Sequence, residues 1–475
     1  MAKSQADSAT GEVKRWPVLM LCLVAGFMTL LDVSIVNVAL PSMQRGLNAS
    51  PAELAWVVSG YVLTFGLVLV PAGRLGDDHG RSRMFLLALF VFTLASALAG
   101  VAQHSLWLVG ARLLQGCAGG LLNPQVFGLI QQFFQGRERA RAFGMFGAVV
   151  GISTAIGPLL GGLLIQLAGA EHGWRLVFLV NLPLGAAALL YGYRILPARQ
   201  AAGRSQNLDP VGVLLLASAL SCILLPLIQH GQGAGPGWLL LAAAPFLLAG
   251  FIAWERWYDS RGRTPLVNLR LLKIRSYSFG SLLSLLYFAG FTSIFFVLAL
   301  FFQNGLGYSP LQAGLSLTPF AVGSAVSSGL SGRLVVRLGR RVVVIGLVTA
   351  LTGLLVTDVV LVLEPGSATG LATALPLLLA GTGSGLVISP NQTVTLSEID
   401  PAQGGAAAGI QQTGQRIGSA VGTATASGLF FSFLSSANYS TAIFSGLLVS
   451  IGFVTAALLV AVVEGLTSRP VVSRS

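Results

Sequence analysis

Two aspartates stand alone inside long apolar stretches, Asp32 within 17–40 and Asp358 within 341–363. A charged carboxylate at mid-bilayer costs about 2.5–3.5 kcal/mol even on lenient insertion scales, so an acid placed there is a functional candidate by default. Such a carboxyl can carry a proton; the alternative is a fixed ion pair that only holds helices together. Arg112, within the stretch 106–134, lies at a similar distance from the end of its run as Asp32 does. If the two meet, protonating Asp32 frees Arg112, and a cationic ligand can replace the proton as partner. Asp358 is nearer the end of its run and can snorkel to the interface or serve as a second protonation site. Arg416 lies in 405–434 among Gln411, Gln412 and Gln415; Gln411 and Gln415 share a helix face at i, i+4 and either line a cavity or cross-link helices. Further aromatic and amide candidates for a cavity wall are Asn37, Trp56, Tyr61, Gln115, Phe127, Phe288, Phe291, Gln303 and Asn391, and the aromatic rings among them can hold lipophilic cations.

Other chemistries lack their residues. The phosphate loop of ATP-driven pumps needs Gly-Lys followed by Ser or Thr, and none of Lys3, Lys14 and Lys273 fits. His79, His104, His172 and His230 fall in connections, and Cys22, Cys117 and Cys222 sit in apolar runs with no pairing or metal spacing. The expectation is a protein that is no enzyme, binds no metal and needs no cofactor, with proton motive force as its energy source.

The elements that position these residues follow from composition. Of 475 residues, 54% are hydrophobic and 9% charged, where soluble domains carry about a quarter charged. The 59 glycines suit close helix contact in lipid. Runs of membrane-span length fall near 17–40, 53–72, 84–102, 106–134, 140–168, 175–195, 210–229, 237–256, 277–302, 311–331, 341–363, 369–395, 405–434 and 441–463, predicting fourteen transmembrane helices. With the polar N-terminus in the cytoplasm, the basic residues sort by side. Of 28 Lys and Arg, only Arg45 and Arg175 fall outside, and Arg112 and Arg416 lie within spans. This is the positive-inside pattern, and it assigns the net charge of +12 to topology, with no need for nucleic acid as a partner. Both termini are expected in the cytoplasm of a bacterial inner membrane, the excess of arginine over lysine suggesting a GC-rich genome.

The chain also repeats itself. Gly73, Arg74, Leu75, Gly80 and Arg81 after span 2 align with Gly332, Arg333, Leu334, Gly339 and Arg340 after span 10, and Gly144, Ser153 and Gly157 of span 5 with Gly409, Gly418 and Gly422 of span 13. The repeat predicts an all-α membrane fold of two six-helix bundles with two inserted helices: tail 1–15, bundle 16–195, linker with inserted helices 196–275, bundle 276–463 and tail 464–475. Parallel repeats of this kind place a binding site between the halves, opened to each side in turn, as in secondary transporters.

These residues resemble the major facilitator superfamily, and within it the 14-helix drug:proton antiporters. Gly73, Leu75, Asp77, Gly80, Arg81 and Arg83 match the signature loop after helix 2; Arg112, Gln115 and Gly116 match the R-x-x-Q-G element; Gly144, Gly157, Pro158, Gly161 and Gly162 match the antiporter motif, with Ser153 at one expected glycine; and LDVSIVNVALP, with Asp32, matches the first helix of that branch. The resemblance implies a proton-coupled exporter of lipophilic monocationic or neutral drugs or antibiotics, functional as a monomer among lipids, with Asp32 and Arg112 coupling the proton and Gly73, Asp77, Gly80, Arg81 and Arg83 forming a conformational latch. Arg416, where some relatives carry acids, argues against dicationic substrates. Export of one endogenous product is the alternative; nutrient uptake and a non-transporting receptor are less supported.

Overall fold

A computed structural model describes residues 15–169, 171–197, 209–228, 237–363, 366, 368–436 and 439–467. Of the expected tails, residues 1–14 and 468–475 fall outside them, as do linker residues 198–208 and His230; Arg15 and residues 464–467 are helical. The helices in chain order are α1 (Arg15–Leu47), α2 (Pro51–His79), α3 (Arg81–Gly100), α4 (Ser105–Phe133), α5 (Gly136–Ala168), α6 (Gly173–Leu179), α7 (Asn181–Ile195), α8 (Pro210–Ile228), α9 (Gly237–Ser260), α10 (Arg275–Leu300), α11 (Pro310–Leu338), α12 (Arg341–Leu363), α13 (Thr369–Ala372), α14 (Ala374–Thr395), α15 (Gly404–Ser436) and α16 (Tyr439–Thr467). Span 6 is thus broken at Val180 into α6 and α7, and α10 is prolonged by a π-helical turn, Phe301–Gly305.

Among the described residues twelve helices, with α6 and α7 counted as one crossing, are long and apolar enough to span a membrane. The two expected spans below that standard are α11 and α14, both rich in Ser, Thr and Gly. They lie against each other, and small residues make this possible. A Cβ on Gly381 would fall 1.9 Å from the Phe320 carbonyl oxygen, and one on Gly323 would fall 2.4 Å from that of Leu378. Close backbone approach takes the place of the apolar surface that a lipid-facing helix needs.

Several helices outrun their apolar stretches. α1 continues past Pro41 to Leu47 because Ser42 and Met43 are buried. Asp32 therefore lies about 22 Å from that end, near the middle of the helix and deeper than the expected span 17–40 implies.

Helices α1–α7 pack around Met28, Phe65, Phe92 and Leu122, and α10–α16 around Leu283, Phe320, Leu354 and Leu447. At the face where the arginine-rich connections emerge, here called the basic face, the first core also takes in Tyr277, Leu396 and Ala407 of the second set. The repeat extends to helix ends. Ser50 and Ser309 each cap their helix through reciprocal bonds with Glu53 and Gln312, and Gly80 and Gly339 close α2 and α11 with φ of 95° and 55°. Helices α8 and α9 sit at the periphery: α8 packs against α2 and α15 through Val70, Leu216, Leu220 and Ile410, and α9 packs on α8. Buried Glu255 of α9 accepts the Val267 N–H at 3.0 Å, which fixes the strap that follows α9.

Candidate functional site

Asp32 and Arg112 meet. Arg112 Nη1 lies 2.5 Å from Asp32 Oδ2, and both side chains are buried. Gln115, three residues along the same face of α4, accepts from Arg112 Nη1 at 2.8 Å and donates from Nε2 to Asp32 Oδ1 at 2.8 Å and to Ser96 Oγ at 2.7 Å. Arg112 Nε donates to the Val57 carbonyl at 3.0 Å, and its guanidinium lies 4.2 Å from the Tyr61 ring centre. Asn181, at the start of α7, donates to Ser96 Oγ at 3.1 Å. Five helices thus converge on one ion pair, with a second partner for most lone pairs, the condition under which a buried pair is tolerated. Removing one partner would strand the other charge, at about 3–5 kcal/mol. Ser96 and Asn181 escape sequence reading; the one signal was an asparagine inside an apolar run, two residues before Pro183.

A second network closes the basic face. Asp77 Oδ1 accepts from Arg81 Nε at 2.9 Å and Nη2 at 2.6 Å. Its carboxylate also receives the backbone N–H groups of Gly405 at 3.3 Å and Ala406 at 3.0 Å, at the start of α15, where a helix N-terminus favours an anion. Arg81 further donates to the carbonyls of Gly128, at 2.6 Å, and Pro401. A Cβ on Gly73 would fall 2.4 Å from the Gly405 carbonyl oxygen, so only glycine allows this approach. Two corrections follow. Asp77 is not in a loop, because α2 runs to His79 and Gly80 alone joins it to α3. Arg83 is exposed and stands apart from these bonds, since it lies two residues beyond Arg81 and points off the opposite side of α3. In the second copy, Val336 replaces Asp77 and is exposed, so the network is one-sided.

Helix α5 carries the small-residue ridge. Cβ atoms added at Gly144 and Gly151 would lie 2.9 Å from the Ser328 carbonyl and 2.8 Å from the Ala325 nitrogen, so this part of α5 meets α11 backbone to backbone. Gly157 and Gly161 face α1 instead, against Ser34 and Ile35. Gly162 departs from expectation: its α-carbon faces open space, one helical step off the contact face.

Between the two helix sets lies a cavity of about 760 Å³. It runs from Phe127, Phe143 and Gln392 to Pro41, Asn304 and Gly314 near the helix ends opposite the basic face. Of the expected wall residues, Asn37, Phe127, Phe288, Phe291, Gln303, Gln415 and Arg416 line it, as does Pro158. Five do not. Tyr61 and Gln115 belong to the Arg112 network, Trp56 is partly exposed on α2, and Asn391 and Gln411 turn to Ser284 Oγ, at 2.9 and 3.0 Å, binding α14 and α15 to α10. Phe143, Phe146, Asn123, Gln392 and Gln412 line the cavity as well; of these Gln412 carries a signal in the sequence, as the i−4 neighbour of Arg416. Asp358 is buried on α12, which contributes nothing to the cavity wall among the described residues.

Two helical sets around a shared cavity, joined at one face by a polar network, form the architecture of a secondary transporter. A family profile described as Major Facilitator Superfamily matches residues 22–423 and 281–468, and the chain belongs to that superfamily. It is 37% identical over 426 residues to a probable actinorhodin transporter of Streptomyces coelicolor, covering 89% of this chain and 74% of the relative. It is 34% identical to the tetracenomycin C resistance and export protein of Streptomyces glaucescens (86% and 74% covered) and 36% identical to the cephamycin export protein of Amycolatopsis lactamdurans (86% and 83%). The fold matches a solved proton:xylose symporter with a TM-score of 0.67 at 16% identity, covering 94% of each chain.

Proposed function

We propose that this protein is a proton-coupled exporter of lipophilic drugs or antibiotics, moving them by alternating access between bundles 16–195 and 276–463, with no cofactor and as a monomer. The observation that carries the reading is the Asp32–Arg112 pair, sealed beside an aromatic-walled cavity that is closed at the basic face. With the basic face in the bacterial cytoplasm, this state faces outward. A proton entering from outside reaches Asp32, neutralises it and releases Arg112. The charge left on Arg112 and the loss of its partner then favour the state open at the basic face, where Asp32 gives up the proton and substrate enters. Asp77, Arg81 and Gly73 set the balance between the two states. The relatives' names, resistance and export proteins for antibiotics, support export as the direction.

A second reading, dedicated export of one endogenous product, draws on the relatives named for single antibiotics of producing organisms. Substrate-stimulated proton release from purified protein, wild type beside Asp32→Asn, tests the first reading. Release lost in the variant supports it, and release retained places the carrier elsewhere, with Asp358→Asn the next comparison. A response to one compound in a chemically broad panel favours the dedicated exporter.

A further inference from the structure

We infer that the cavity is built for acidic aromatic molecules, and that Arg416 holds their anionic group with the Gln392 and Gln412 amides as supporting donors. This rests on the export reading and names the substrate class of the same cavity. Among the described residues that line the cavity, Arg416 is the only charged one. Asp32, the acid that a cationic ligand would need, is bound to Arg112 and contributes nothing to the wall. Arg416 itself enters no ion pair among the described residues; its guanidinium lies 4.3 Å from the Phe65 ring centre. An arginine within a membrane span ordinarily pairs with an acid or with carbonyls, and stacking on a ring leaves the edge of the guanidinium, with its N–H groups, available to a ligand.

A second observation is independent of Arg416. Gln392 and Gln412 both line the cavity and are more than nine-tenths buried, and in each Nε2 has no hydrogen-bond partner. Buried donors without acceptors are costly, and a turn of either amide toward the cavity lets a ligand's oxygen acceptors satisfy it. Gln412 precedes Arg416 by four residues, on the same face of α15. The remainder of the wall includes seven phenylalanines, a surface for a planar ring. A carboxylate or sulfonate on such a ring meets a matching bidentate fork; an ammonium meets a like charge and no counter-ion.

The test uses one ring with three charges. Purified protein is titrated calorimetrically with naphthalenecarboxylate, naphthalenecarboxamide and naphthylmethylammonium, using wild type, Arg416→Gln and Arg416→Lys. The carboxylate is expected to bind wild type most tightly. Arg416→Gln should weaken it by about tenfold or more, the usual effect of losing charge-assisted hydrogen bonds, and leave the carboxamide within about twofold, which also certifies the fold; Arg416→Lys should recover part of the loss. Preference of the wild type for the ammonium overturns the inference, as does an equal loss for all three ligands in Arg416→Gln, which would make Arg416 a strut between α15 and Phe65. If the carboxylate binds through Arg416 yet triggers no proton release, the export reading fails and the site assignment stands. Release triggered by the ammonium alone leaves export intact and overturns the acidic substrate.

Discussion

Asp77→Ala should open the basic face. The carboxylate spans the two helix sets by accepting the N–H groups of Gly405 and Ala406, and it also orients Arg81, which reaches the Pro401 carbonyl. Hydrogen bonds to a charged acceptor contribute about 1.5–3 kcal/mol each. Taking the low end for the two N–H bonds alone, the closed state loses about 3 kcal/mol, roughly a 150-fold shift in the equilibrium. A protein held about 99% closed would become a mixture with the open form in the majority. The bonds that Arg81 keeps with the Gly128 and Pro401 carbonyls bound the effect from above. The assay is a spin-label distance between exposed positions on opposite sets, Arg83→Cys on α3 and Ser397→Cys after α14, in a chain whose three native cysteines are replaced. Wild type should give one short distance, and Asp77→Ala a second, longer population of comparable or greater weight. An unchanged distribution in well-folded Asp77→Ala protein would refute the latch and place the closing energy in the apolar contacts of Tyr277, Leu396 and Ala407.

Other outcomes follow from the same geometry. Arg112→Gln should destabilise the protein by about 3–5 kcal/mol because it strands a buried carboxylate, whereas adding Asp32→Asn should restore most of the melting temperature without restoring proton release. Gly73→Ala places a methyl 2.4 Å from the Gly405 carbonyl and should favour the same open population as Asp77→Ala, while Gly162→Ala, which meets nothing within 4 Å, should transport as wild type does; equal behaviour of the two alanines would contradict the contact. Export of a singly charged acid against one proton moves two charges inward per cycle, each giving about 2.3 kcal/mol per 100 mV. Transport in proteoliposomes should therefore rise steeply with a potassium-valinomycin potential, and a potential-independent rate points instead to electroneutral exchange of a monocation.

The one-sidedness of the latch bears on the cycle. Gly80 and Gly339 end their helices alike, and Ser50 and Ser309 begin them alike, yet only the first copy carries the carboxylate that caps a helix of the other set. The basic face is joined by the Asp77 network on the α2–α15 side, and on the other by backbone packing of α5 on α11 with the hydrogen bonds of Gln131 and Arg139 to the Leu396 and Ser397 carbonyls, at 3.2 and 3.4 Å.

Composition and the placement of arginines were enough to define a multi-helix membrane protein, because the bilayer imposes a length and a charge rule that any span must satisfy on its own, and the repeated glycines and arginines after spans 2 and 10 marked its duplicated plan. Asp32 and Arg112 were legible for the same reason, since a charge in an apolar run is too costly to persist without a partner or a task. Their meeting at 2.5 Å, and the enlistment of Ser96 and Asn181, depended on how five helices turn toward one another. Where a polar side chain faces the cavity and where it faces a neighbour is a matter of helix rotation within a bundle, which an all-apolar span leaves unmarked. Hence Gln415 lines the cavity while Gln411, one turn away, cross-links α15 to α10. The charge of the cavity was likewise a tertiary outcome: the chain holds acids and bases within its spans, and only packing decided that the acid is enclosed and the arginine of α15 is left facing the ligand space.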